Sequence, residues 1–256
     1  MEHNCTKLPD IKALKEIINC VKHVIFPGYY EACPDDEKLK QSYIEAQKRQ
    51  LHLLLAGQLC ANDAEAFIQQ LPEIERLLQT DVDAMVVNDP AVAFRDEVIY
   101  CYPLVIAMTH YRVAHVLHKM NIPIIPRILT EMAHSLTGID IHPGAQIGEY
   151  FAIDHGTGVV IGETCIIGNH VTLYQGVTLG AKNFQTDEKG NLINSPRHPV
   201  LEDYVTVYSN TSILGRITIG HHSVIGGNIW LTHSVRPNSH IVQSKEIEQY
   251  AGSINI

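Results

Sequence analysis

The sequence has no paired cysteine motif, although it contains six cysteines, at positions 5, 20, 33, 60, 101 and 165. No two of them form Cys-x-x-Cys, which is unlike both a disulfide framework and a thiolate zinc site. The cysteines are therefore predicted to be reduced thiols, most of them buried.

The chain also lacks a surplus of positive charge and a long apolar run. With 28 acidic against 19 basic residues, its formal charge of -9 disfavours a nucleic-acid partner. No apolar stretch approaches the roughly 18 to 20 residues that span a bilayer, so no membrane partner is expected. Met1–Cys5 lacks the basic-then-apolar order of a signal peptide, which predicts a cytoplasmic protein.

The first half has helical periodicity. Apolar residues recur every three or four positions from about residue 8 to residue 135, and Pro27-Gly28 is predicted to close the first helix. Further helices are predicted at about 36–59, 63–78 and 104–119. Asp89-Pro90 is most simply a helix N-cap followed by proline at the first helical position. Residues 1–137 are thus predicted to form a helical domain.

After Gly138 the period becomes six. Aliphatic residues recur six apart, with a two-residue slip before Ile161 and an interruption between 179 and 201. They lie at positions 141, 147, 153, 159, 161, 167, 173, 179, 201, 207, 213, 219, 225 and 231. This spacing is typical of a hexapeptide β-helix, in which three short strands form each coil. Residues 18 apart should then stack, as in Leu201 with Ile219, Val207 with Ile225, and Ile213 with Leu231. The whole chain is predicted to have an α+β fold, with the β-helix over 138–240 and a tail over 241–256.

In such a coil the first and fifth positions of each hexapeptide point inward. Cys165 and Thr157 fall on fifth positions, and an inward Cys165 would pack as a small hydrophobe rather than act as a nucleophile. Residues 181–199 interrupt the period and are polar, with a turn predicted at 187–191. They are predicted to form a loop extruded from one corner, and such loops are usually functional.

Several polar residues lie outside the inward positions. Asp154 and His155 follow Ile153, Glu163 follows Ile161, and Asp140 precedes Ile141. A carboxylate that accepts one imidazole N–H leaves the other nitrogen free to take a proton, so Asp140 and His155 could form a base. They could equally be surface residues. Arg197-His198-Pro199 could bind a carboxylate or merely fix the loop.

These residues belong to strings that resemble one family. The strings are Asp140-Ile141-His142-Pro143-Gly144-Ala145, Ile153-Asp154-His155-Gly156-Thr157-Gly158, Ile161-Gly162-Glu163-Thr164, Gln175-Gly176-Val177-Thr178-Leu179-Gly180, Arg197-His198-Pro199 and, in the helical part, Asn88-Asp89-Pro90-Ala91. In order and spacing they resemble the serine O-acetyltransferase family of hexapeptide acyltransferases.

The resemblance implies a left-handed β-helix that works as a homotrimer or a dimer of trimers, with sites in the grooves between subunits. Its substrates would be L-serine and acetyl-CoA, with L-cysteine as a feedback inhibitor, and no tightly bound cofactor or metal is expected. A tail ending in Ile256 would insert into O-acetylserine sulfhydrylase, which would capture the terminal carboxylate.

The resemblance also assigns roles to residues. His155 would be the general base, oriented by Asp140, and His198 would support the substrate or the developing oxyanion. The remaining assignments are Asp89 and Asp154 for the serine ammonium, Arg197 for its carboxylate, Glu163 as a further substrate residue, and Gly180, Ala181, Ser209 and Gly227 for acetyl-CoA.

Three other functions remain open from the sequence. The first is a zinc hydrase of the γ-carbonic anhydrase kind, with ligands drawn from His155, His170, His198, His221 and His222. The second is an acetyltransferase for a sugar or an antibiotic. The third is a non-catalytic scaffold.

Overall fold

The computed structural model describes residues 8–183, 186–191, 193 and 195–243. Its first part is helical: α1 (Ile11–Ile25), α2 (Glu37–Gln58), α3 (Ala61–Ile68), α4 (Leu71–Asn88), α5 (Arg95–Cys101), α6 (Pro103–Lys119) and α7 (Ile125–Thr137). Gly138 ends α7 in the left-handed conformation, with φ of 72°, which glycine adopts without steric cost.

Two sequence predictions for this part are wrong. The helix predicted at 63–78 is two helices, because Pro72 in the first turn of α4 has no N–H to continue the hydrogen-bond ladder of α3. Asp89 is not an N-cap. It follows the last residue of α4, and its Oδ1 accepts a hydrogen bond from the Ala91 N–H at 2.8 Å, which closes a turn.

The second part is a parallel β-helix. Its strands are β1 (Asp140–Ile141), β2 (Gln146–Ile147), β3 (Ala152–Asp154), β4 (Val160–Ile161), β5 (Ile166–Ile167), β6 (Thr172–Tyr174), β7 (Thr178–Gly180), β8 (Val200–Leu201), β9 (Thr206–Val207), β10 (Ser212–Leu214), β11 (Thr218–Ile219), β12 (Val224–Ile225), β13 (Trp230–Leu231) and β14 (His240–Ile241). They form three sheets: sheet A (β1, β4, β7, β10, β13), sheet B (β2, β5, β8, β11) and sheet C (β3, β6, β9, β12, β14). The α+β fold with a hexapeptide β-helix is confirmed.

The predicted stacking is also confirmed. Leu201 pairs with Ile219, Val207 with Ile225, and Ile213 with Leu231. The first coil is longer, because Ile153 pairs with Leu173, 20 residues on. The two extra residues lie between β3 and β4, and we call residues 154–158 the bulge.

The bulge explains one wrong prediction. Thr157, expected to point inward, is exposed, and Val159 is buried in its place. The slip in the hydrophobic period therefore marks a corner whose side chains are free to face outward, and His155 is one of them.

Helix α6 covers the open edge of the first coil. The Tyr111 hydroxyl donates to the Ala145 carbonyl at 2.6 Å, and Nδ1 of His115 lies 2.8 Å from the Pro143 carbonyl. The buried Arg112 guanidinium donates to the carbonyls of residues 147 and 148 and pairs with buried Asp81 of α4. These bonds satisfy edge carbonyls that no further coil pairs, and so join the two parts into one core.

The predicted burial of the cysteines is only partly correct. Cys20 and Cys165 are buried, whereas Cys60 and Cys101 are exposed; all five described cysteines are free thiols. Burial raises the pKa of Cys165 to about 12, so this inward thiol stays protonated, as its position predicts. Among the residues that the structure describes, every helix falls short of the length or the apolar character that a bilayer span requires.

Candidate active site

The bulge presents His155 at the corner where sheet C passes into sheet A. His155 adopts a left-handed backbone conformation, with φ of 57°, which directs its side chain away from the coil. Its side chain is 70% exposed, whereas that of Asp154 is 16% exposed. The His155 Nδ1 lies 3.6 Å from the Asp154 Oδ1. This imidazole is accessible to a substrate and has a carboxylate beside it.

Asp89 lies near the same corner and is held by two donors. The Tyr102 hydroxyl donates to its Oδ2 at 2.5 Å, and the Ala91 N–H donates to its Oδ1 at 2.8 Å. These two hydrogen bonds, the one from Tyr102 first, lower the pKa of Asp89, and the nearby His155 lowers it further. Asp89 is thus an ionised carboxylate suited to bind an ammonium. We call Asp89, Tyr102, Asp154 and His155 the histidine group.

A second set of polar residues lies at the corner where sheet A passes into sheet B. The extruded loop returns there, and Thr164 receives it. The Thr164 hydroxyl accepts hydrogen bonds from the Arg197 N–H at 2.9 Å and the His198 N–H at 3.1 Å. The Arg216 guanidinium donates to the carbonyls of Thr164 at 2.7 Å and His198 at 3.1 Å. We call Glu163, Thr164, Arg197 and His198 the loop group.

Charge within the loop group is balanced locally. Nη2 of Arg197 donates to Oε2 of Glu163 at 2.5 Å. Burial raises the pKa of Glu163, but the hydrogen bond and charge of Arg197 outweigh burial and hold that pKa below its usual value. Burial, followed by the charge of Arg197, lowers the pKa of His198 to about 4. His198 is therefore neutral at pH 7, beside an ion pair.

Gly162 makes room for the His198 ring. A Cβ at Gly162 would lie 2.2 Å from Nε2 and 2.1 Å from Cδ2 of His198, closer than van der Waals contact allows. Any larger residue at position 162 would push the imidazole out of the corner.

Asp140 does not join His155 within the chain. It begins β1, and its Oδ1 lies 3.6 Å from Nη1 of Arg127 on α7. The carboxylate beside His155 is that of Asp154. The pairing of Asp140 with His155 therefore stays a prediction for the assembled protein.

The residues predicted to contact acetyl-CoA lie at both ends of sheet A. Ser209 and Gly227 are neighbours on successive coils at the sheet C to sheet A corner, where the Asn228 N–H donates to the Ser209 carbonyl at 2.8 Å. Gly180 ends β7 at the other corner, where the loop begins with Ala181. Their role in binding acetyl-CoA stays a prediction.

Sequence reasoning missed four residues that position the site. Thr164 was noticed only as part of a motif, and Tyr102, Arg127 and Arg216 gave no signal. Each acts through a contact with a residue 13 to 52 positions away. No periodic pattern reports contacts of that kind.

One group of possible metal ligands occurs within the described part of the chain. It consists of Glu131, His134 and Asp140, whose ligand atoms lie within 4.8 Å of one another. None of the histidines considered for a zinc hydrase belongs to it. Arg127 lies 2.5 Å from Glu131 and 3.6 Å from Asp140, so a cation already neutralises these carboxylates.

Comparison with curated proteins identifies close relatives, although no protein-family model matches the chain. The plasmid-encoded serine acetyltransferase of Synechococcus elongatus is 56% identical over 182 residues, which cover 71% of this chain and 57% of that relative. The serine acetyltransferase of Bacillus subtilis is 42% identical over 167 residues, which cover 65% of this chain and 73% of that relative.

Solved structures agree. Native serine acetyltransferase 1 of Entamoeba histolytica superimposes with a TM-score of 0.80 and 37% identity over 93% of this chain and 90% of that one. The same enzyme in complex with L-cysteine superimposes with a TM-score of 0.77 and 36% identity, over 89% of this chain and 86% of that one. The chain therefore belongs to the serine acetyltransferase family of acyltransferases.

Proposed function

We propose that this chain transfers the acetyl group of acetyl-CoA to the hydroxyl of L-serine, giving O-acetyl-L-serine and CoA. Family membership supports the reaction class. The observation that carries the proposal is the pair of corner groups: an exposed imidazole with the ionised Asp89 and the carboxyl group of Asp154 at one end of sheet A, and an arginine with a neutral imidazole at the other.

The chemistry assigned to the histidine group is general-base catalysis. His155 takes the proton of the serine hydroxyl while that oxygen attacks the thioester carbon. The tetrahedral intermediate then collapses, the C–S bond breaks, and the departing CoA sulfur receives the proton from His155. Asp89 and Asp154 bind the serine ammonium, since Asp154 offers a carboxylate beside the imidazole and Asp89 is close enough for His155 to lower its pKa.

The loop group recognises the other end of the amino acid. The Arg197 guanidinium binds the serine carboxylate, a pairing that arginine makes in bidentate geometry. His198 supports the bound substrate or the oxyanion, and Glu163 holds Arg197 in place. L-cysteine has the same ammonium and carboxylate, so we propose that it binds these same residues and inhibits the enzyme.

A second copy of the chain completes the site in this proposal. No hydrogen bond or ion pair connects the histidine group to the loop group within the described residues, although one serine molecule must contact both. A trimer, or a dimer of trimers, would bring the sheet C to sheet A corner of one copy against the sheet A to sheet B corner of the next.

Thiol release from acetyl-CoA, measured with and without L-serine, tests the reaction. We expect release only with L-serine, and a loss of about 100- to 10,000-fold in turnover for His155→Ala with the oligomer intact. Serine-independent release, or greater activity with a sugar acceptor, would contradict the proposal. Asp89→Ala and Arg197→Ala should mainly raise the KM for L-serine.

Mixing two variants, assayed at an L-serine concentration too low for Arg197→Ala to be active, tests the shared site. His155→Ala lacks the base, and Arg197→Ala lacks the ligand for the serine carboxylate. An interface is free of both defects when its histidine group comes from an Arg197→Ala copy and its loop group comes from a His155→Ala copy. Co-expression of both should restore about one quarter of wild-type activity, because one random interface in four is intact. Co-expression of His155→Ala with Asp89→Ala, which damages the same group twice, is the matched control and should restore none.

A partner enzyme is proposed for the C-terminal tail, most of which lies outside the described residues. In this proposal the carboxylate of Ile256 is captured by O-acetylserine sulfhydrylase. A peptide of the last ten residues should compete with O-acetylserine for the sulfhydrylase, and the same peptide without Ile256 should not. Equal competition by both peptides would remove the assignment.

A further inference from the structure

Thr164 surrounds one nitrogen of His198 with donors. The Thr164 N–H points at Nδ1 of His198 at 3.1 Å, and the Thr164 hydroxyl oxygen lies 2.9 Å from the same nitrogen. The hydroxyl already accepts from two backbone N–H groups, those of Arg197 and His198. Its own hydrogen is therefore left to donate, and Nδ1 is the acceptor within reach.

This arrangement selects one form of the ring. A proton on Nδ1 would face the Thr164 N–H, placing two donors against each other. With Nδ1 unprotonated, both Thr164 groups are satisfied, and the proton of the neutral imidazole must sit on Nε2. Nε2 itself takes part in no hydrogen bond within the described part of the chain, so its N–H is available to a ligand.

We propose that Thr164 is a positioning residue that fixes His198 as a neutral imidazole donating from Nε2, so that His198 serves the reaction as a hydrogen-bond donor to bound substrate and not as a base. The assignment of a donor role rests on the function proposed above. The tautomer follows from the contacts of Thr164 alone, and can be tested whether or not L-serine is the acceptor.

The charged surroundings of His198 favour the neutral form. Arg197 and Arg216 present positive charge to the ring, and His142 lies nearby, whereas Glu163 supplies the opposing negative charge and is itself paired with Arg197. Together with burial, these groups hold the pKa of His198 at about 4. An imidazole with so low a pKa is a weak base near pH 7, but its Nε2–H can still donate a hydrogen bond.

The first measurement is the tautomer in the wild-type full-length protein. Nitrogen-15 NMR of histidine-labelled protein distinguishes a protonated from an unprotonated ring nitrogen, and the His198 signals are assigned by their loss in His198→Gln. We expect an unprotonated Nδ1 and a protonated Nε2 at pH 7. A protonated Nδ1 would overturn the proposal without bearing on which acceptor the enzyme uses.

The second measurement separates positioning from simple support of the loop. Thr164→Val removes the hydroxyl and keeps the shape, Thr164→Ser keeps the hydroxyl, and Thr206→Val on β9 is a matched control away from both corner groups. We expect Thr164→Val to lower kcat/KM for L-serine by about 10- to 100-fold, as misplaced groups do. In that variant only the backbone N–H of residue 164 still faces Nδ1, so a minor population of His198 protonated on Nδ1 should appear. Thr164→Ser and Thr206→Val should stay within about threefold of wild type.

The outcomes are distinct. Unchanged kinetics and an unchanged His198 spectrum in folded Thr164→Val would overturn the proposal, as would a loss of melting temperature with full kcat/KM. If Thr164→Val does not fold, the wild-type spectrum and Thr164→Ser still decide the tautomer. If no variant and no wild-type protein acetylates L-serine while the spectrum is as expected, it is the proposed function that fails.

Discussion

The helical part and the β-helix of this chain build their cores in different ways. In the β-helix, equivalent positions on successive coils stack on one another, as Leu179, Ile213 and Leu231 do in sheet A. In the helical part, each contact is made once. Arg112 and Asp81, 31 residues apart, form a buried ion pair that is not repeated among the residues that the structure describes.

This difference indicates which contacts contribute most to the stability of the chain. A repeated core spreads its stabilisation over many similar rungs, whereas a unique core depends on particular contacts. The junction under α6 is of the second kind, since three side chains of one helix satisfy the open edge of the first coil. Substitutions at the junction, within the repeat and at the bulge can therefore test the comparison.

The largest effect is expected at the junction. Arg112→Met leaves the buried Asp81 carboxylate without its counter-ion, with only the Phe151 N–H still donating to it, and should lower the free energy of unfolding by about 3–5 kcal/mol. Arg76→Met, which breaks exposed ion pairs with Glu73 and Glu149, should cost at most about 1 kcal/mol. Urea unfolding measures the stability of both variants. Equal losses would show that the buried pair at the junction contributes no more than an exposed ion pair.

A somewhat smaller effect is expected within the repeat. Ile213→Ala removes a side chain stacked between Leu179 and Leu231 and should cost about 2–5 kcal/mol. Leu231→Ala should cost less, because Leu231 stacks on one described strand only and its neighbours can relax into the space. If the Leu231 variant unfolds at lower urea than the Ile213 variant, stabilisation is not distributed rung by rung.

A third test compares an inward threonine with the one in the bulge. Thr211 is buried, and its hydroxyl donates to the Gly226 carbonyl at 2.6 Å and accepts from the Ile229 N–H at 3.1 Å. Thr211→Val should cost about 1–3 kcal/mol, because it leaves both groups unsatisfied. Thr157→Val, at an exposed position, should change stability by about 0.5 kcal/mol or less. Similar losses for both would contradict the inward and outward assignment.

The last test uses the pH dependence of stability. His198 has a pKa lowered to about 4 in the folded chain, so between about pH 6.5 and pH 4 the unfolded chain binds the proton first. Stability should therefore fall as pH is lowered through that window. His198→Gln should remove part of this slope and leave the part due to His110, His115 and His142, whose pKa values are also lowered by burial. A slope unchanged in His198→Gln would mean that folding does not lower the pKa of His198.

The sequence predicted the β-helix better than it predicted the helices, because the core of the β-helix is repeated and that of the helical part is not. A six-residue period fixes which residues stack and which point inward. The stacked pairs and the inward position of Cys165 could therefore be derived residue by residue. The break before Pro72 and the turn at Asp89 depend on single residues within a diffuse pattern, and both were misjudged.

The site also has a part that could be predicted from the sequence and a part that could not. The motif residues and the outward direction of His155 followed from the pattern and the family resemblance. The hydrogen bonds around Thr164 and the contact of Tyr102 with Asp89 could not be predicted, because they join segments that only the folded chain brings together. The pairing of Asp140 with His155 stays a prediction for the proposed assembly.

The outer face of sheet A also contains a natural reporter. The chain has one tryptophan, Trp230, on β13, and 72% of it is exposed. Its fluorescence therefore comes from a single indole in water on the sheet that connects the two corner groups. A blue shift of that emission when the protein concentration is raised, or when acetyl-CoA is added, would reveal without any label that something covers this face.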